Sequence, residues 1–109
     1  MAAIFGNPCD LLGHEGDPLG PTDWLIIDQD RVDGFAKVTG DDQWIHVDVE
    51  RATKAMGGPI AHGFLTLSLL PMLGGETLNV SGVTRGINYG SDKVRFTNMV
   101  PVGSKVRLR

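Results

Sequence analysis

Residues 29–38 carry their apolar side chains at helical spacing. Val32, Phe35 and Ala36 recur at intervals that set them on one face of an α-helix. Asp28 precedes the run with a short carboxylate suited to an N-cap, and Gly40 follows it with the backbone freedom that a helix C-terminus needs. The pattern therefore predicts a helix over residues 29–38.

A second, shorter helix is predicted over residues 49–56. Asp48 can cap its first turn, and the run Gly57-Gly58-Pro59 must end it. Residues 41–47 lie between the two helices and show no clear periodicity. We predict an irregular link there.

Residues 62–73 are apolar on almost every face. The run is too long for an ordinary strand and is typical of a helix buried at the centre of a fold. Pro71 should kink its last turn, and Gly74 and Gly75 should end it.

Four further segments have the β-branched or alternating apolar character of strands. They are Trp24–Ile27, Val83–Tyr89, Lys93–Thr97 and Lys105–Arg109. Residues 1–21 hold four glycines and three prolines, which predicts a loop-rich leader. A buried helix followed by strands indicates the α+β class, in which a curved sheet can wrap one helix.

Composition indicates one globular domain over residues 1–109. With 41% apolar and 21% charged side chains, the chain falls outside the disordered and membrane-spanning classes. We find no signal peptide or membrane span in the sequence. Cys9 is the only cysteine, which excludes an internal disulfide, and we expect a cytoplasmic protein.

Charge is distributed unevenly along the chain. Residues 1–50 hold eleven acids and two bases, whereas residues 51–109 hold eight bases and two acids. A basic half can hold the phosphates of a nucleotide-bearing substrate such as coenzyme A, or the acidic surface of a carrier protein. The simpler interpretation is that the two halves neutralise each other once folded.

Asp41 and His46 are the first candidates for chemistry. Five positions on a straight helix would turn their side chains about 140° apart, but a bent link can aim both at one point. A carboxylate and an imidazole that converge can hold and deprotonate a water molecule. The alternative is that Asp41 caps a turn and that His46 is an ordinary surface or core histidine.

His62 and Gly63 stand where the predicted central helix begins. Unpaired backbone N–H groups and the helix dipole can stabilise a carbonyl oxygen that gains negative charge there, and glycine allows a ligand to approach closely. The alternative is a packing glycine and a structural histidine. Trp44 and Tyr89 are candidates for pocket walls, or for simple core packing.

No dense metal-ligand motif is present. Asp42, Asp48 and Glu50 can in principle join His46, but helix capping and exposure to solvent explain these carboxylates better. Ser68 has no candidate base nearby in the sequence, and a hydroxyl on a buried helix usually bonds to a carbonyl of the preceding turn. We therefore predict no metal and no serine nucleophile.

Two segments together resemble the MaoC-like (R)-specific enoyl-CoA hydratases. They are residues 35–48, FAKVTGDDQWIHVD, and residues 59–64, PIAHGF. Residues 43–46 (QWIH), 87–90 (INYG) and 93–96 (KVRF) look most like the bacterial branch that is similar to nodulation protein N. The resemblance covers roughly residues 20–109.

The resemblance implies a hot-dog fold, a curved antiparallel sheet around a central helix, in a homodimer. It implies that Asp41 and His46 are the catalytic dyad and that the Gly63 N–H faces the thioester oxygen. From their positions in the sequence we add His62, Trp44 and Tyr89 as candidates for contact with the substrate. The implied reaction adds water reversibly to trans-2-enoyl-CoA and gives (R)-3-hydroxyacyl-CoA. The substrate brings its own coenzyme A, so no metal, redox cofactor, nucleic acid or membrane partner is expected.

Two departures qualify what the resemblance implies. Gln43-Trp44 replaces the family's common Asn-Pro, which can change the acyl preference. Family members also continue beyond the strand that starts here at Lys105, so one or more C-terminal strands are expected to be missing. Alternative functions are an acyl-CoA thioesterase and a non-catalytic acyl-binding or assembly subunit.

Overall fold

A computed structural model describes residues 2–109 and combines helices with short strands. In chain order the elements are β1 (Ala3–Phe5), a 3₁₀ helix (Pro8–Leu11), β2 (Leu25–Ile26), α1 (Gln29–Thr39), α2 (Trp44–Val47), α3 (Val49–Met56), α4 (Gly63–Ser68), α5 (Leu70–Gly75), β3 (Leu78–Val80) and β4 (Lys105–Val106). The predicted α+β class is confirmed. Within residues 2–109 the strands pair as two separate two-stranded sheets, and the curved sheet around a central helix stays a prediction.

The described chain divides into two compact units. The first unit comprises residues 2–23, 70–95 and 107–109. In it β1 pairs with β3 in parallel, with Ala3 opposite Leu78 and Phe5 opposite Val80. The prediction of a single domain stays a prediction.

The second unit comprises Trp24–Leu69 and Phe96–Val106. In it β2 runs antiparallel to β4, with Leu25 opposite Val106. The chain just before α4 is also held by backbone hydrogen bonds, because the Ala61 N–H donates to the Val100 carbonyl at 2.8 Å. The buried apolar residues of this second unit are Ile27, Val32, Ala36, Ala52, Ala61, Leu65 and Leu69.

Helices α1 and α3 form because their ends are capped by local side chains. Asp28 accepts a hydrogen bond from the Arg31 N–H at 2.8 Å, and Asp48 accepts one from the Arg51 N–H at 3.0 Å. Such caps satisfy backbone donors that have no partner inside the helix. Gly40 ends α1 in the left-handed conformation, with φ of 79°. Both predicted helices are confirmed, with α1 one residue longer at its C-terminus.

The helical region after residue 40 differs from the prediction in two places. The link predicted as irregular contains α2, a single turn closed by the bond from the Asp48 N–H to the Trp44 carbonyl. The helix predicted over residues 62–73 is instead two short helices, α4 and α5, separated at Leu69. Pro71 explains the break, because it has no N–H and its ring clashes with the carbonyl four residues earlier.

The prediction of strands at Val83–Tyr89 and Lys93–Thr97 is wrong, since residues 83–97 form no strand in the structure. A strand needs a neighbouring strand to satisfy its backbone groups, and periodicity cannot say whether one is present. The strand predicted at Lys105–Arg109 shortens to β4, and that at Trp24–Ile27 shortens to β2.

The leader predicted as loop is mostly irregular but contains β1 and the 3₁₀ helix. Strand β3 was not predicted. Both β1 and β3 are only three residues long, too short for an alternating pattern to stand out. No helix within residues 2–109 is both long and apolar enough to cross a membrane.

Candidate active site

Asp41, His46 and His62 meet inside the second unit. A carboxylate oxygen of Asp41 and one ring nitrogen from each histidine lie within 4.8 Å of one another. The histidines are buried, with 6% and 2% of their surface exposed, and Asp41 is half-buried. The structure thus brings together the two residues of the predicted dyad and the histidine that precedes Gly63.

Local turns place Asp41 and His46 on the same side of the link. Asp41 follows the left-handed turn at Gly40, and its N–H donates to the Thr39 hydroxyl at 3.3 Å. His46 lies on α2, where the Gln29 side-chain amide donates to its carbonyl at 2.8 Å. Helix α1 therefore contacts the candidate site both at its first residue and just beyond its last.

The hydrogen bond of His46 decides which of its ring nitrogens is available. The Nδ1–H donates to the Ile60 carbonyl at 2.6 Å. Because a carbonyl oxygen can only accept, a neutral His46 carries its proton on Nδ1 and its lone pair on Nε2. The ring is held in the form in which Nε2 can accept a proton.

His62 is held through the other ring nitrogen. Its Nε2–H donates to the backbone carbonyl of Asp41 at 2.8 Å, and its Nδ1 is buried without a hydrogen-bond partner in residues 2–109. The ring stacks on His46, with centroids 3.8 Å apart and planes inclined by 25°. Phe35 packs against His62 at 4.8 Å between centroids.

Three such donors suggest a metal site, but the stacking argues against one. A metal ion lies close to the plane of an imidazole that binds it, at about 2.0–2.1 Å for zinc. An ion shared by His46 and His62 would sit out of both planes by about half of their 3.8 Å separation. Ligation of one ion would therefore require a ring to rotate and break its bond to a backbone carbonyl.

Gly63 begins α4 directly after this cluster. Its N–H is one of the helix's first donors and has no acceptor within residues 2–109. A Cβ at this position would lie 2.6 Å from Cδ2 of Phe96, well inside carbon–carbon contact distance. With the Phe96 ring in its observed position, only a glycine fits here without a shift of that ring.

The remaining candidates are described by their own contacts and exposure. Trp44 is half-buried on α2, with the Arg51 guanidinium 4.2 Å from its ring centroid. Tyr89 is fully exposed and lies among residues of the first unit. Asp48 caps α3 and Glu50 pairs with Lys54 at 3.1 Å, as expected of carboxylates without a metal role. Ser68 donates to the Leu65 carbonyl at 2.6 Å.

Three residues at the site were missed from the sequence. Gln29 binds the backbone carbonyl of His46 and Ile60 binds its ring Nδ1–H, whereas Phe35 packs against the ring of His62. Ile60 acts through its carbonyl, which every residue possesses, so no sequence signal marks it. Gln29 and Phe35 were assigned only to the predicted helix.

Asp41 and His46 can carry out acid–base chemistry on a small molecule that reaches them. The carboxylate and the Nε2 lone pair both accept hydrogen bonds and can bind the two protons of one water molecule. Burial of both histidines shields the pair from bulk water, which strengthens its electrostatic interactions.

Known proteins resemble this chain over most of its length. Residues 12–109 match the model of the MaoC like domain. The 3-hydroxyacyl-thioester dehydratase Z of Mycobacterium tuberculosis is 52% identical over 104 residues, which cover 94% of this chain and 69% of that protein. Nodulation protein N of Rhizobium leguminosarum bv. viciae is 46% identical over 108 residues, covering 92% of this chain and 64% of that protein. Because the family model matches residues 12–109, which is most of the chain, the chain belongs to the family of MaoC-like domains.

Proposed function

We propose that this protein is an (R)-specific enoyl-CoA hydratase. It adds water reversibly to trans-2-enoyl-CoA and, in the other direction, dehydrates (R)-3-hydroxyacyl-CoA. The observation that carries the proposal is the bond from the His46 Nδ1–H to the Ile60 carbonyl, which leaves the lone pair on Nε2 of a ring that has one nitrogen within 4.8 Å of an Asp41 carboxylate oxygen. The name of the mycobacterial relative, a 3-hydroxyacyl-thioester dehydratase, supports the same reaction type.

In the proposed reaction His46 and Asp41 hold one water molecule. His46 Nε2 takes one of its protons while the oxygen forms a bond to the β-carbon, and Asp41 orients the water through its other proton. The π electrons of the double bond move to the thioester oxygen and give an enolate. Nε2 then returns the proton to the α-carbon on the same face, which makes the addition syn.

Gly63 supplies the proposed donor for the enolate oxygen. Its N–H lies at the first turn of α4 and has no acceptor within residues 2–109. A donor that meets developing negative charge in this way is worth about 3–4 kcal/mol. His62 contacts Asp41 and His46 rather than open space, so we assign it no direct contact with the thioester.

Hydration of crotonyl-CoA tests the proposal. Loss of absorbance at the enoyl-thioester band should occur with the wild-type protein and fall by about 100-fold or more in Asp41→Asn and His46→Gln. Asp42→Asn and His14→Gln are matched controls, because each changes an exposed residue of the same type. Equal rates in all five proteins would refute the proposal.

Thiol release separates hydration from thioester hydrolysis. A chromogenic thiol reagent should report no release of coenzyme A while the enoyl band disappears. Release that depends on Asp41 would favour an acyl-CoA thioesterase, and binding of acyl-CoA without turnover would favour an acyl-binding or assembly subunit.

The proposal includes no metal or redox cofactor. The thioester itself makes the β-carbon electrophilic, and Asp41 and His46 supply the proton transfers. Treatment with a chelator should leave the hydration rate unchanged. We also propose the family's hot-dog arrangement in a homodimer, for which mass measurement in solution is the test.

A further inference from the structure

We infer that His62 is a positioning residue that holds both members of the dyad through two different parts of one ring. Its Nε2–H fixes the backbone at Asp41 and its ring face fixes the plane of His46. The kinetic part of this inference rests on the proposed function. Its structural part can be tested without turnover.

The first contact restrains the backbone at Asp41. This residue lies just beyond the end of α1, and within residues 2–109 its side chain accepts a single hydrogen bond, a long one of 3.5 Å from Gln43. The bond from His62 to its carbonyl, at 2.8 Å, joins residues 21 positions apart. It ties the Asp41 backbone to the start of α4.

The second contact restrains the rotation of His46. The hydrogen bond at Nδ1 limits the rotation of the His46 ring about Cβ–Cγ but still allows the range of angles that a hydrogen bond tolerates. The His62 ring, stacked at 3.8 Å, removes that freedom because any large rotation would drive one ring into the other. The direction of the Nε2 lone pair thus depends on His62.

His62 is itself rigid, which a positioning residue requires. It is 2% exposed and packs between His46 and Phe35. Its Nδ1 makes no hydrogen bond within residues 2–109, so that atom can be replaced without loss of a described partner. This makes the two contacts separable by substitution.

Two variants each remove one contact. His62→Gln can keep a donor near the position of Nε2 and loses the ring face, whereas His62→Phe keeps a ring face and loses the donor. Because misplacement of a reacting group by about 1 Å can cost 100-fold in rate, we expect kcat to fall by about 10- to 100-fold in each. KM should stay within about twofold, since neither variant alters a group assigned to substrate binding.

Histidine NMR tests the positions directly. The chain has three histidines, and exposed His14 serves as an internal reference. In His62→Gln the ring protons of His46 should move downfield, because they lose the shielding of a stacked ring. In His62→Phe they should stay shielded while the amide signal of Asp42 moves, because its N–H shares a peptide group with the Asp41 carbonyl that loses its donor.

A purely structural role for His62 would give a different result. Leu69→Val, a buried change at the opposite end of α4, serves as the control for lost stability. The inference is overturned if Leu69→Val lowers kcat as much as the His62 variants at the same melting temperature. It is also overturned if the His46 ring signals and the Asp42 amide signal are unchanged in both His62 variants. Wild-type protein without hydratase activity would refute the proposed function alone, since the NMR experiment would still decide the positioning role.

Discussion

Substitution of Gly63 by alanine tests the packing of α4 against Phe96. The added Cβ would lie 2.6, 2.7 and 2.9 Å from three carbon atoms of the Phe96 ring. Normal carbon–carbon contact is about 3.5–4.0 Å, so the ring must move by about 1 Å. Overpacking of this kind typically costs about 1–3 kcal/mol. Because Phe96 is 48% exposed and can swing outward, we expect a loss of about 1 kcal/mol.

The partner substitution Phe96→Ala should remove that cost. Without the ring, alanine at position 63 gains the roughly 0.5–1 kcal/mol by which it is favoured over glycine in a helix. Gly63→Ala should therefore be destabilising in the wild-type background and neutral or stabilising in the Phe96→Ala background. The expected coupling is the difference between these two effects, about 1–2 kcal/mol, which is within the range found for contacting residues.

Urea denaturation of the four proteins, followed by tryptophan fluorescence, measures this coupling. Gly34→Ala on α1 is the matched control, since a Cβ there meets no atom within 4 Å and the backbone is helical. It should stabilise both backgrounds equally. A Gly63→Ala effect that is the same with and without Phe96 would show that this ring does not determine the glycine.

Three further predictions concern stability and rate. Asp28→Ala removes the cap of α1 and should lower the free energy of unfolding by about 1 kcal/mol, whereas Asp28→Asn should retain most of it in the same denaturation assay. Leu65→Ala, at a position 1% exposed, should cost about 2–5 kcal/mol in thermal or chemical unfolding; a loss under 1 kcal/mol would contradict its place in the core. Gln29→Met keeps the side-chain length but removes the donor to the His46 carbonyl, so kcat should fall several-fold at constant KM. Asp33→Asn is the control, because Asp33 accepts the other hydrogen bond of the Gln29 side chain and lies outside the site.

The helices could be predicted where their signals are local. Asp28 and Asp48 cap the helices that their positions indicated, and Gly40 ends α1 as expected. Caps act within one turn, so the sequence alone contains the necessary information. The break at Leu69 was foreseen only as a kink, because Pro71 removes a bond but the surrounding chain decides how the helix responds.

The strands could not be predicted in the same way. Residues 83–97 have alternating character yet form no strand, whereas β1 and β3, with little pattern, pair over three residues. Strands form where two segments meet in space, and a local sequence pattern does not record which distant segment will be the neighbour. Ala3 lies opposite Leu78 and Ile4 opposite Asn79, each pair 75 positions apart in the sequence, and only the tertiary structure sets this register.

The features of the candidate site also divide into those with a local sequence signal and those set by the tertiary structure. From the sequence by itself, Asp41, His46 and Gly63 are the candidate residues, because their types and spacing resemble a family pattern. Only the tertiary structure decided that His46 presents Nε2, that His62 stacks on it, and that the Phe96 ring fills the space that a Cβ at position 63 would need. The physical reason is that proton position and ring orientation depend on backbone carbonyls and side chains distant in sequence, such as Ile60 for His46, which no local pattern records.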